Sequence, residues 1–338
     1  MSPIWVDNDG VLVGTGDVSR LDPGIGPGRY QTALDAVRAS GSAQAFASFT
    51  FDIHEPNSVV LAPEQTEKLE ELPVADPLSD VVVVDDGVDA WTKGFHKAMQ
   101  SVRAGEVEKV VLARQMIVEL PPAVDRMALA SLLARANPGC FTFSVDGLIG
   151  ASPELLVSVS DGRVRSLALA GTATDPEELE SVKISEEHRH VSSSVRDVLS
   201  RHMTGIELTE QVIVPHGVMS HVGTRIEGPA KPGTTVADIL ADLHPTAAVA
   251  GVPTAAAVDL IRDMEPASRG RYAGPVGWLD EDGQGVFAIA LRCGQASGNR
   301  MTLFAGGGLV EGSEESGELH ETELKLAPML TALGHPKS

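Results

Sequence analysis

The chain has 338 residues, enough for one large domain or two average ones and for a substantial buried core. Its 43% hydrophobic and 22% charged content is ordinary for a soluble globular protein. The net charge of −21 argues against nonspecific nucleic-acid binding and against an anionic membrane surface, but not against a small anionic substrate held by a local cationic cluster.

The N-terminus, MSPIWVDNDG, has neither the basic nor the apolar stretch of a targeting segment, and no apolar run approaches the roughly 20 residues of a membrane span. Up to about Asp80 the pattern is weak and rich in turns, with Gly24 to Gly28 as punctuation and Ala45 to Phe51 as a strand. Ala62 to Asp80 is polar, acidic and proline-marked, which predicts a surface connection. From Val88 the signals sharpen. Val88, Trp91, Phe95, Met99 and Val102 recur at three- and four-residue steps, an amphipathic helix stopped at Gly105. Lys109 to Leu120 reads as a strand, and Asp125 can cap a helix running to Asn137. Short strands with Asp-Gly turns between Phe141 and Ala170 predict a meander of hairpins. Helices are expected over Glu186–His202, Val236–Leu243 and Thr254–Met264. Strands return at Gly274–Leu279, Val286–Arg292 and Met301–Ala305, before a last helix from Glu315 to Leu333. Runs of helices and hairpins without regular βαβ alternation predict an α+β architecture.

Two cysteines, Cys140 and Cys293, lie far apart and in no CxxC pattern. That fits a reducing cytoplasm, with no disulfide framework and no zinc site. The chemistry concentrates near the C-terminus. On a helix Glu318, Glu321 and Lys325 sit at i, i+3 and i+7 and project from one stripe. Adjacent carboxylates repel unless a cation lies between them, and oxygen-only ligands suit a hard ion such as magnesium. The glycines of Gly306–Gly308 can bring backbone N–H groups close to an anion, or form a tight turn between strand and helix. Together these predict a pocket for a carboxylate or phosphate compound held with a metal.

Several further motifs follow in order. They are Glu108-Lys109 to Arg114, Gly150-Ala-Ser-Pro-Glu154, Leu169-Ala-Gly171-Thr172, Glu187-His188, His244-Pro-Thr246 and Glu265-Pro266. Gly274 to Trp278, Leu291-Arg292-Cys293 and the Glu318-x-x-Glu321 helix complete the series. Over roughly Val88 to Leu330 the chain resembles the chorismate-utilising enzymes: isochorismate, salicylate, anthranilate and aminodeoxychorismate synthases. The first 80 residues match only loosely. The resemblance implies one catalytic domain over 1–338, with a large antiparallel core, flanking helices and an active site in a cleft between them. It also implies a magnesium-dependent isomerase acting on chorismate, monomeric and cytoplasmic, in the service of siderophore, salicylate or menaquinone synthesis.

Relatives that use ammonia carry glutamine where this chain has Lys109, and aminodeoxychorismate synthases carry a lysine where it has Ala170. Water is therefore the expected nucleophile. Lys109 would be the general base, which burial or neighbouring cations would help to deprotonate. Glu154, beside Pro153 in an apolar run, would be the acid that protonates the leaving C4 hydroxyl. His244 resembles the family histidine near that hydroxyl. Glu187 shares a helical stripe with Val191 and Val195, so it should point inward, and with Glu318 and Glu321 it would make the magnesium site. Ala170, Gly171, Thr172, Arg292, Lys325 and the Gly306, Gly307 and Gly308 amides would bind the substrate, Arg292 through a bidentate fork. A salicylate synthase, which eliminates pyruvate from isochorismate, is one alternative. A noncatalytic metabolite-binding homologue is the other.

Overall fold

Strands β1 (Ile4–Asp7) and β2 (Gly10–Leu21) form a hairpin around Asn8-Asp9, and helix α1 (Arg29–Ser40) follows. Strands β3 (Gln44–Ser48) and β4 (Val59–Leu69) come next. The computed structural model describes residues 2–76, 81–121, 125–173, 192–208, 212–216 and 219–335. The weakly patterned N-terminal part is therefore strand-rich, and the connection expected from Ala62 begins only after Leu69. Beyond Ala62 most of β4 is exposed, so its hydrophobic signal stops, while ladder pairing with β2 carries the strand on to Leu69.

Strand β5 (Val82–Asp85), helix α2 (Val88–Arg103), strand β6 (Lys109–Glu119) and helix α3 (Arg126–Ala136) match the expected pattern. Trp91, Phe95, Met99 and Val102 are the buried stripe of α2. Asp125 caps α3, accepting from the N–H groups of Met127 and Ala128. Strands β7 (Phe141–Val145), β8 (Leu148–Ser152), β9 (Leu155–Ser160) and β10 (Arg163–Ala173) form two hairpins rather than one meander. The run divides at Pro153-Glu154. From there β8 pairs onward with β17 (Cys293–Ser297), and β9 with β16 (Gly285–Ile289).

Of the helix expected over Glu186–His202, residues 192–199 are described as helix α4, with Val195 buried. Strands β11 (Glu207–Leu208), β12 (Val212–His216) and β13 (Met219–Pro229) extend the β10 side of the sheet. Helix α5 (Val236–Leu243), strand β14 (Gly251–Val252), helix α6 (Thr254–Met264), strand β15 (Pro275–Asp280), strand β18 (Arg300–Val310) and helix α7 (Glu315–Ala332) complete the chain. Among the described residues all 18 strands belong to one sheet and every pairing is antiparallel, as the α+β expectation requires. The N-terminal strands are part of it, since β1 pairs with β7 and β3 with β15. No helix among the described residues is long and apolar enough to cross a membrane.

Strand β6 positions the site. It pairs along its whole length with β18, and its other edge takes β14 at Lys109–Val110 and β5 near Val118. Arg114 then ties this strand to α7, donating to Thr322 Oγ1 at 3.1 Å, while its Nε donates to the Asp86 carbonyl.

Candidate active site

Lys109 opens β6 and is 7% exposed. Beside it Gly251 has a φ of +141°, and a Cβ there would lie 2.1 Å from the Lys109 carbonyl, so only glycine lets the two backbones approach this closely. Glu154 sits in the break between β8 and β9, 6% exposed. Burial pushes its carboxyl up to about 8, against the opposing pull of the Leu169 N–H and the Lys109 ammonium. It is thus a protonated donor at neutral pH, within electrostatic reach of Lys109.

The α7 stripe faces β18. Lys325 Nζ contacts Glu321 and donates to the Gly306 carbonyl at 2.7 Å. Burial would raise the Glu321 carboxyl, but Lys325, Arg292 and Lys109 outweigh it and hold the group below the usual carboxylate range. Three expected cations therefore converge on one expected metal ligand. Glu318 accepts from Ser313 Oγ at 2.6 Å and packs over Gly307, where a Cβ would lie 3.2 Å from its Oε2.

Arg292 stands between β16 and β17 with a φ of +48°, a left-handed backbone that costs a non-glycine residue about 1–3 kcal/mol. It is 5% exposed, burial draws its guanidinium down to about 10, and its Nη1 has no hydrogen-bond partner among the described residues. Gly150 of the Glu154 motif lies under it, since a Cβ there would sit 2.8 Å from the Arg292 carbonyl.

Gly306–Gly308 form no turn. They lie inside β18, opposite Ala113, Leu112 and Val111. Glycine is used here for thinness: a Cβ on Gly306 would meet the Tyr272 hydroxyl at 2.7 Å. Ala113 sends its N–H to Glu265, and the Gly306 carbonyl accepts from Lys325. Gly306 and Ala113 are therefore a non-hydrogen-bonded pair, and the N–H groups of Gly306 and Gly308 point away from β6. The three glycines are thus strand residues rather than a turn.

Residues 44–334 match the family described as chorismate binding enzyme. The chain belongs to that family. The isochorismate synthase MenF of Bacillus subtilis is 33% identical over 262 residues, 73% of this chain and 56% of that protein. A Mycobacterium tuberculosis protein given the name MenF is 33% identical over 342 residues, 90% of each chain. The solved structure of Bacillus anthracis DhbC, described as a 2,3-dihydroxybenzoate-specific isochorismate synthase, superposes with a TM-score of 0.87 at 28% identity. That superposition covers 99% of this chain and 96% of DhbC. The chain thus spans little more than half of the Bacillus subtilis relative but nearly all of the other two.

Within this chorismate-binding fold, Lys109 lies within electrostatic reach of both Glu154 and Glu321, and Arg292 and Lys325 within reach of Glu321, with Glu318 one turn along α7 from it. Ala170, Gly171 and Thr172 lie on β10, which shifts register between Ala170 and Thr172. Glu187 lies outside the described residues. Among the described residues no three His, Cys, Asp or Glu side chains gather closely enough to hold a metal.

His244 is 6% exposed, and its Nδ1 has no hydrogen-bond partner among the described residues. Its Nε2–H donates to the Phe51 carbonyl at 2.8 Å, and burial, joined by the Arg29 charge, pulls the ring down to about 3. Asp52 and the Phe51 carbonyl pull the other way. Sequence reasoning passed over His221, which is 7% exposed and stands opposite Thr172 at the β10 irregularity. A single histidine in a strand has no spacing to reveal it. Tyr272, stacked on Phe304 at 4.8 Å and touching Gly306, was also missed.

Proposed function

We propose that this chorismate-binding enzyme is an isochorismate synthase. The observation that carries the reading is the buried Lys109–Glu154 couple, in which the acid is held protonated at about 8. Lys109 Nζ, entering the step as the neutral amine, takes a proton from water as the water oxygen bonds to C2 of chorismate. Both ring double bonds shift, C1=C2 to C1=C6 and C5=C6 to C4=C5, the C4–O bond breaks, and Glu154 donates its proton so that the hydroxyl leaves as water. One water enters and one departs, which makes the reaction an isomerisation. The excess proton on Lys109 and the deficit on Glu154 then re-equilibrate.

Arg292 and Lys325, with the outward amides of Gly306 and Gly308, hold the substrate carboxylates. His244, buried with an Nδ1 that has no hydrogen-bond partner among the described residues, would meet the ring hydroxyl. Glu318 and Glu321 offer hard oxygen donors on one helical stripe, which fits magnesium, and Glu187 would join them. Magnesium there would supply positive charge to a substrate carboxylate. The protein works as one catalytic domain. N-terminal strands paired into the common sheet support this. It acts as a cytoplasmic monomer, in keeping with Cys140 and Cys293 being free and buried.

Incubation with chorismate, with and without magnesium, tests the reading. Magnesium-dependent isochorismate without pyruvate is the expected result. Salicylate with pyruvate would move the protein to the salicylate synthases, and no conversion would favour a noncatalytic homologue.

A further inference from the structure

Strand β6 has a gap along the edge opposite β18. β14 covers Lys109 and Val110 and β5 covers the far end, but between them Val111 and Ala113 turn backbone polar groups toward α6. The Val111 N–H donates to the Ala250 carbonyl at 2.9 Å, and two side chains take the Val111 carbonyl and the Ala113 N–H. Glu265 Oε1 accepts the Ala113 N–H at 2.9 Å, and Arg269 Nη2 donates to the Val111 carbonyl at 2.7 Å. Arg269 Nη1 reaches the Val249 carbonyl at 2.8 Å, on the segment between His244 and β14. The two side chains pair with each other at 2.6 Å, and each is 2% exposed. The Arg269 guanidinium also lies 4.5 Å from the centre of the Phe51 ring.

We infer that Glu265 and Arg269 are positioning residues for Lys109, clipping its strand to the 244–250 segment so that the amine is held in register with Glu154. A buried ion pair is by itself weak evidence of stabilisation, because desolvation offsets its Coulombic gain. Here the remaining donors and acceptors all go to backbone within four residues of Lys109 or to the segment leading into its partner strand. Lysine at 269 would keep the charge but could not span two carbonyls and a carboxylate. The inference rests on Lys109 being the base of the proposed reaction.

The experiment compares Arg269→Lys with wild type, alone and in a Lys109→Ala background. Backbone exchange at Val111 and Ala113 is read in parallel. The expected result is a kcat about 100-fold lower with KM for chorismate little changed, since displacement of a reacting group by about 1 Å costs that much. In the Lys109→Ala background the same substitution should lower the residual kcat no further. The Val111 and Ala113 amides should exchange faster while the protein still melts cooperatively. Equal losses in both backgrounds, or unchanged exchange, would overturn the inference. If Arg269→Lys fails to fold, Glu265→Gln, which keeps an oxygen for the Ala113 N–H, is read the same way. A wild-type protein that makes no isochorismate would sink the functional reading instead. Exchange alone would then decide the clip, faster amides supporting it and unchanged ones overturning it.

Discussion

Glu154 has a raised acidity constant because its neighbourhood is dry, and this has two separable consequences. Turnover needs the protonated acid, so kcat should fall as pH rises through about 8. Glu154→Gln should lower kcat by about 10²- to 10⁴-fold and abolish that limb, which a pH–rate profile would show. Stability moves the same way. The folded value lies above the ordinary 4.5, so the folded state binds the extra proton between the two values. The contribution is fully present below 4.5 and is lost as pH rises through about 8. Melting curves should therefore show Glu154→Gln gaining on wild type with rising pH and levelling off above about 8. Arg292→Lys keeps the charge but loses the fork. KM for chorismate should rise about 10- to 100-fold, the range for one hydrogen bond to a charged group. Lys109, Glu154 and Arg292 were legible because ordered motifs surround them. His221 was not, since its placement follows from strand register opposite Thr172 and nothing in local spacing encodes register.

Among the elements, β18 and α7 carry a requirement visible only once they are packed. A methyl group at Gly307 would press on Glu318 Oε2 at 3.2 Å, so Gly307→Ala should shift that carboxylate. Titration of activity with magnesium should then need about 10-fold more metal for half-maximal rate, the order seen when ligand supports are disturbed. An unchanged requirement would remove Glu318 from the metal site. Helices such as α2 and α3 were readable because their apolar stripes and the Asp125 cap are local signals. The strand character of Gly306–Gly308 was not, because three glycines look like a turn until β6 is known to run alongside.

For the whole molecule, the sheet depends on its first strands although they lie outside the matched family region, residues 44–334. Trp5 is fully buried, stacked at 5.5 Å on Phe141, and its strand bridges β2 and β7. Trp5→Ala should cost about 3–5 kcal/mol, measurable by urea unfolding, even though residue 5 is far from any proposed chemistry in sequence. The α+β class could be read from the succession of hairpins and helices. The closure by β1 and β3 could not, since pairings such as Ile4 with Ser144 are long-range and leave no local trace.

The split of the chain at Pro153-Glu154 reaches past this one reaction. It puts the proposed acid at the junction of the β8 and β9 ladders, whereas the proposed base is on β6, between β14 and β18. The two groups are thus inherited on separate supports. A lineage could exchange the residue at 109, and with it the attacking reagent, while the means of expelling the hydroxyl stays untouched. Such a scaffold can diversify by altering one half of its chemistry at a time.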